Sequence, residues 1–396
     1  MPADFQIHAR DPGSGARTGT LRLPHGEVRT PAFVPLATKA TVKGLEPRDV
    51  AALGYDMVLG NTFHLMLAPG EELIRTLGGL HEFMRWPAPI ITDSGGFQVF
   101  SMGHGTVADE IKGRAAHGAA RQGATLAIEE DGVRFRSYVD GSEQFLSPER
   151  SLEIQAALGS DIAVAFDECT PFHVDRDYTA RSTERTHRWL DRCVRWHAEH
   201  APPGQVLYGV VQGGVHEDLR RGSAAAVAAS GCGGIAIGGS LGEDKPQMYE
   251  VVSWAVDELP AALPRHLLGI GDVDDLIRGV ELGIDTFDCA MPTRLGRHGM
   301  ALVPAPDGRW RVDLTGARWR EADEPILEGC DCPACAGGFS RGYLRYLVRQ
   351  KELTGQRLLT LHNLAFISRL MSRLRAAVAA GTLAEEAAAL RAGAAP

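Results

Sequence analysis

The chain has no apolar run approaching the roughly 20 residues that a membrane span requires, and its opening residues, Met1-Pro2-Ala3-Asp4, lack the basic and apolar segments of a signal peptide. Both absences predict a cytoplasmic protein that does not engage a membrane. No low-complexity linker divides the 396 residues, so one large domain with appendages is expected. An excess of positive charge is also missing. The formal net charge of −9 argues against a protein that grips nucleic acid with its whole surface. Seven cysteines, an odd number, predict reduced thiols and leave metal binding as their interesting use.

What the chain does contain is a series of short strand-like runs separated by helix-like segments. Eight can be read, at 32–36, 56–60, 89–93, 162–167, 206–212, 234–238, 266–271 and 285–288, the number that an α/β fold of the (β/α)8 TIM-barrel class needs. Helix-to-strand punctuation recurs as Leu-Gly-x-Asp at 53–56, 158–161 and 282–285, where glycine can take the left-handed conformation that ends a helix. Ser147-Pro148 reads as an N-cap followed by proline at the first helical position. The expected organisation is a barrel over 1–300, with an N-terminal β-hairpin over 5–34 covering its bottom and an insertion near 103–130. A zinc-binding subdomain with C-terminal helices packed on the barrel follows over 301–375, and an Ala-rich tail over 376–396 is given no role.

Polar residues gather at the downstream ends of the runs: Asp93, Asp167 with Glu168 and Cys169, Gln212, and Asp288. That is where barrel enzymes place their chemistry. Three carboxylates at one mouth suit transfer at an anomeric carbon, where one attacks and another moves a proton, or oxygen ligation of Mg2+ or Mn2+. Each alone also suits a helix cap. No histidine is read beside these aspartates, which disfavours Zn2+ or iron there. Cys330-x-Cys332-x-x-Cys335 brings three thiolates within six residues, and His362, at the start of a second amphipathic helix, is the expected fourth ligand of a closed structural Zn2+ site. The plain alternatives are a chance cluster of three thiols in a glycine-rich loop and, separately, a His362 that merely caps its helix. Over 291–360 there are eleven Lys/Arg against eight Asp/Glu, Arg294, Arg297, Arg309, Arg311, Arg318 and Arg320 among them. Such a stripe serves equally as a phosphate track or as a solvated face.

Taken together, Thr92-Asp93-Ser94-Gly95-Gly96-Phe97-Gln98, Ala165-Phe166-Asp167-Glu168-Cys169-Thr170-Pro171, Gly209-Val210-Val211-Gln212-Gly213-Gly214, Phe287-Asp288-Cys289-Ala290-Met291-Pro292-Thr293-Arg294 and the cysteine cluster resemble bacterial tRNA-guanine transglycosylases, in the family's order, as far as about residue 375. The resemblance implies exchange of the wobble guanine of tRNAs with G-U-N anticodons for 7-aminomethyl-7-deazaguanine (preQ1), a queuosine precursor. By position Asp288 matches the nucleophile and Asp93 the general acid/base. Asp167, Cys169, Gln212, Gly239 and Leu268 match the base pocket, with Phe97 stacking on the ring, and Arg294 and Arg297 match anticodon-loop contacts. The family's members are homodimers. Two departures stand out: Gly239 is followed by Ser240-Leu241-Gly242-Glu243, one residue shorter than in many relatives, and Leu268 replaces a methionine. The competing reading is a non-catalytic tRNA-binding partner subunit of the same fold, which need not keep both Asp93 and Asp288.

Overall fold

The computed structural model describes residues 3–103 and 125–396. Eight parallel strands close into a barrel in chain order: Ala32–Ala37, Val58–Gly60, Ile90–Thr92, Ile162–Val164, Val206–Val211, Gly234–Ile237, Arg265–Leu267 and Thr286–Cys289, the last pairing back onto the first. They are the eight runs expected from the sequence, some shorter because the polar ends lie in the loops beyond them. Side chains alternate across the barrel wall. Val34, Leu59, Ile91, Ile162, Val164, Val206, Tyr208, Val210 and Ala236 fill the interior, while Phe33, Val58, Ile90, Ala163, Leu207 and Val211 face the helices. Continued upward, the same alternation aims Gln212, His266 and Asp288 at the barrel axis.

The N-terminal segment is a three-stranded antiparallel sheet, Asp4–Arg10, Arg17–Leu23 and Gly26–Thr30, where a two-stranded hairpin was expected. The third strand was hidden because only Val28 and Thr30 of its five residues are buried, too short an alternation to read. Leu21 and Val28 join the interior cluster, so this sheet plugs the bottom of the barrel. The repeated Leu-Gly-x-Asp motif gains a second meaning here. Its glycines do take positive φ, +81° at Gly54, +71° at Gly159 and +90° at Gly283. Each aspartate then holds a different residue of the plug. Asp56 takes Arg29 at 2.8 Å, Asp161 takes the His25 ring at 2.8 Å, and Asp285 takes Arg17 through two bonds of 2.9 and 2.6 Å.

The expected insertion near 103–130 falls largely outside the described residues. From Thr125 the chain forms a small antiparallel sheet, Thr125–Ile128, Val133–Arg136 and Glu143–Leu146. The second C-terminal helix is longer than its pattern suggested, running over Leu353–Ala380, so His362 lies well inside it and not at its start. Nor is 376–396 a featureless tail. It completes that helix and adds another, Leu383–Arg391, which buries Leu383, Ala387 and Leu390. Alanine-rich composition hid a packed face that three residues supply.

Arg17 and Asp285 are almost wholly inaccessible, with side chains 1% and 0% exposed. Removing one partner strands a buried charge, which typically costs about 3–5 kcal/mol. Asp285→Ala is therefore expected to lower unfolding stability by about that amount in a urea titration, and Asp56→Ala, whose Arg29 partner is exposed, by about 1 kcal/mol or less.

Candidate active site and metal site

Asp93 follows the third barrel strand, and neutral donors hold it in place. The Thr62 amide donates to Oδ1 at 2.9 Å, while the side-chain amides of Asn61 and Gln98, the latter at 3.2 Å, donate to Oδ2. Asn61 also caps the helix Thr62–Leu67 through the His64 amide, so one short helix start sets the carboxyl's position. Burial, reinforced by the charge of Asp288, raises the Asp93 pKa to about 7. A carboxyl so poised exchanges protons in either direction near neutral pH.

Asp288 sits in the last barrel strand and is only 6% exposed. Its Oδ1 takes the Gly269 amide at 3.1 Å and the His266 Nε2 at 3.0 Å, and His266 Nδ1 in turn meets the Thr286 hydroxyl at 2.8 Å. With Thr286 donating to Nδ1, Nε2 carries the proton that orients the carboxylate. The expectation that no histidine accompanies the aspartates is thus corrected. His266 lies at the upstream end of the seventh run, and only the closed barrel brings it across to the neighbouring strand. Among the described residues Oδ2 of Asp288 has no hydrogen-bond donor, which leaves it directed at whatever enters the mouth.

Asp167 accepts from Ser94 Oγ at 3.0 Å and from Gln212 Nε2 at 2.6 Å, and burial raises its pKa to about 6. Gln212 Oε1 is buried with no hydrogen-bond partner among the described residues, and a Cβ on Gly239, whose φ is +81°, would come within 2.2 Å of it. Glycine is therefore obligatory at 239 if Gln212 is to keep its place. The Gly239 amide reaches the buried Cys169 sulfur. Leu268 is half-buried against the barrel interior, and Phe97, 36% exposed, stands on the helix that follows Asp93. The carboxylates are thus ringed by amide, hydroxyl and imidazole donors, and the two groups of potential metal ligands among the described residues include none of the three. The Glu243 side chain is exposed.

Sequence reasoning missed Arg220. Its guanidinium is fully buried and binds carbonyls alone, those of Val211, Gly214, Gly238 and Ser240 at 2.7–3.1 Å. Burial lowers its pKa to about 10. It ties the loop after the fifth strand, with Gln212, to the loop after the sixth, with Gly239. Its only signal in the sequence is an arginine in a helix opening after Gly213-Gly214, where exposure would be the ordinary expectation. Arg294 and Arg297 lie on the helix Met291–Arg297 that begins just after Asp288, and among the described residues neither has an acidic partner. Burial and the neighbouring Arg294 charge hold Arg297 below the ordinary guanidinium range, and its Nη1 is buried without a partner.

Cys330, Cys332, Cys335 and His362 converge at the C-terminal side, all buried, with sulfur to His362 Nδ1 distances of 3.8, 3.4 and 3.5 Å. His362 Nε2 donates to the Leu302 carbonyl at 2.7 Å, which turns the Nδ1 lone pair towards the sulfurs. These four residues can hold a metal ion, as their spacing suggested. The adjacent Asn363 binds the Pro292 and Met300 carbonyls and the Leu302 amide. The cluster is thereby joined to the helix that carries Arg294 and Arg297.

With this geometry in view, comparison with known proteins is decisive. The family model for queuine tRNA-ribosyltransferase matches residues 11–394. The chain belongs to the queuine tRNA-ribosyltransferase family. It is 49% identical over 393 residues to the queuine tRNA-ribosyltransferase of Roseiflexus sp. (strain RS-1), covering 97% of this chain and 98% of that protein. It is 47% identical to that of Symbiobacterium thermophilum, with 97% and 90% covered, and 44% identical to that of Deinococcus radiodurans, with 95% and 88% covered. As a member of this family the protein is an enzyme, a pentosyltransferase. The match reaches past residue 375 and takes in the final helix, in line with the burial of that helix.

Asp93 gives a measurable consequence. The folded chain holds this proton up to about pH 7 whereas an unfolded aspartate releases it near about 4, so stability falls as pH rises through that window and the loss is complete above it. Asp93→Asn removes this effect. The stability of the variant relative to the parent is expected to rise by on the order of 2 kcal/mol between pH 4.5 and pH 8, read from urea titrations at each pH. A difference that stays flat with pH would mean that Asp93 titrates normally.

Proposed function

We propose that this chain is a tRNA-guanine transglycosylase that exchanges the wobble guanine of tRNAs with G-U-N anticodons for preQ1, through a covalent intermediate on Asp288. The observation that carries this reading is the pairing of two carboxyls with different surroundings, the buried Asp288 held by His266 and Gly269 through one oxygen, and the partly buried Asp93 poised near pH 7. Asp288 Oδ2 attacks the ribose C1′, the bond from C1′ to N9 breaks, and the departing guanine takes a proton from Asp93. The Asp93 carboxylate then removes the N9 proton of the incoming base, whose nitrogen displaces Asp288 from C1′. One difficult substitution becomes two easier ones, and Asp93 ends as it began.

Asp167, with Gln212, receives the N–H edge of the base, the Gly239 amide and Cys169 line the side near the 7-substituent, Leu268 packs against the ring, and Phe97 stacks on it. A base can reach Asp288 only by leaving its stack, and an anticodon loop makes that inexpensive. Arg294 and Arg297, cations with no acidic partner among the described residues, take loop phosphates beside the mouth. Zn2+ fits the Cys330, Cys332, Cys335 and His362 set, because tetrahedral bonds of about 2.3 Å to sulfur and about 2.0 Å to nitrogen separate S and N by roughly 3.5 Å. Bound there with no open position, the ion contributes structure and not catalysis. A homodimer acting in the cytoplasm completes the reading.

The test is incorporation of labelled guanine into an unmodified tRNA with a G-U-N anticodon, with any covalent adduct trapped on a denaturing gel. Wild type is expected to exchange and form the adduct, and Asp288→Asn to lose at least about 1,000-fold in rate together with the adduct. Binding of tRNA without exchange by wild type would favour the non-catalytic subunit instead. For the metal, Cys332→Ser is expected to lose the bound zinc and to lower the unfolding midpoint by roughly 5–10 °C. An unchanged midpoint after complete zinc removal would refute the structural role.

A further inference from the structure

The arginines downstream of the mouth are not accounted for by the exchange chemistry. After the helix Met291–Arg297 the chain forms a two-stranded ribbon, Met300–Leu302 paired with Arg311–Asp313. An open cavity of about 440 Å3 lies beside it, lined by Val303, Asp307, Arg311, Arg318, Trp319 and Arg341 among others. Its cationic wall is built and not merely solvated. Trp319 is fixed by its indole N–H to the Asp313 carbonyl at 2.9 Å, and the Arg318 and Arg341 guanidiniums each lie 4.6 Å from the ring centre. Arg341 is itself held by the Pro325 and Ile326 carbonyls at 3.0 and 2.8 Å.

Nearby carboxylates are turned to other partners. Asp307 accepts from the Arg309 amide, Asp313 from the Thr315 amide and hydroxyl, and Glu324 from Arg341. Among the described residues Arg311 and Arg318 have no acidic partner, whereas Arg176 and Arg185, on the helix after the fourth barrel strand, and Lys245, on the helix after the sixth, are each paired with carboxylates. In a chain of net charge −9, two guanidiniums left unpaired on a concave wall point to an anionic ligand. The six residue-to-residue steps from Arg297 to Val303 span at most about 20 Å. One polynucleotide whose loop enters the mouth can therefore cover both places.

We propose that the Arg311, Arg318 and Trp319 cavity is a second RNA-binding site, which takes backbone phosphates of the same tRNA outside the nucleotides held at the barrel mouth. This rests on the transglycosylase reading and extends it to substrate choice. A substrate with an intact stem gains contacts here that an isolated loop cannot make. Arg318, stacked on Trp319, presents its guanidinium already ordered, which lowers the entropy lost on capturing a phosphate. Contacts of this kind carry no base information and show themselves through salt.

The test compares wild type with Arg311→Ala/Arg318→Ala, measuring the affinity for an unmodified full-length G-U-N tRNA across salt concentrations and for a stem-less anticodon-loop oligonucleotide, with guanine exchange run in parallel. Two lost phosphate contacts are expected to reduce the magnitude of the log Kd against log salt slope by roughly 1.4–1.8 and to weaken tRNA binding about tenfold or more at low salt. Binding of the oligonucleotide should be unchanged, and Arg318→Lys, which keeps the charge, should retain most of the slope. An unchanged slope in an exchange-competent enzyme overturns this inference alone. So does an equal loss on the oligonucleotide, or a fall in dimer content with tRNA binding intact, which would assign the cavity to a second copy of the chain. Wild type that neither binds nor exchanges overturns the transglycosylase reading along with it.

Discussion

A closed barrel offers little water at its axis, so every carboxylate at its ends depends on the donors around it. This constraint separates two sets of aspartates at opposite ends of the barrel strands. At the bottom, Asp56, Asp161 and Asp285 meet Arg29, His25 and Arg17 of the plugging sheet. Burial works against the Asp161 charge, but the His81 and His25 hydrogen bonds hold its pKa below the ordinary carboxylate range. At the top, the partners of Asp93 and Asp167 among the described residues are amides and hydroxyls, and burial raises both pKa values. Arginine and histidine partners from the plugging sheet and its neighbours fix the first set as structure, whereas amide and hydroxyl partners leave the second with raised pKa values.

The deep cation of the pocket follows the same logic. Had Arg220 faced Asp167, it would have neutralised a carboxyl whose pKa burial otherwise raises. Directed onto four carbonyls, it ties two loops together and leaves the acids alone. Glu168 is served instead by Arg185 and by the Tyr178 hydroxyl at 2.7 Å, away from the Asp167 oxygens.

The metal cluster and the mouth are mechanically continuous. His362 and Asn363 are neighbours on one helix, the first facing the cysteines and the second binding backbone on both sides of Arg294 and Arg297. Gly296 is pressed so closely on that helix that a Cβ would lie 2.7 Å from the Thr360 nitrogen. An ion held by the cysteine cluster would therefore help to fix the helix that carries Arg294 and Arg297 without touching either side chain, because close-packed elements transmit a shift instead of absorbing it.

The sequence by itself determined the barrel, because eight runs and their Leu-Gly-x-Asp punctuation are local patterns. It also marked Asp93, Asp167, Gln212, Asp288 and the three cysteines, whose spacing along the chain is short or whose place at a strand end is fixed by the fold. Short alternation hid the third strand of the plug, and alanine composition hid the final helix. Only the tertiary structure decided which donors surround each acid. His266 reaches Asp288 from a neighbouring strand, Arg220 lies inside where exposure was the ordinary expectation, and the Leu-Gly-x-Asp aspartates meet a sheet that in two of the three cases lies more than a hundred residues earlier in the chain. Periodicity along a chain records which side of the wall a residue faces, and barrel closure decides what it meets there.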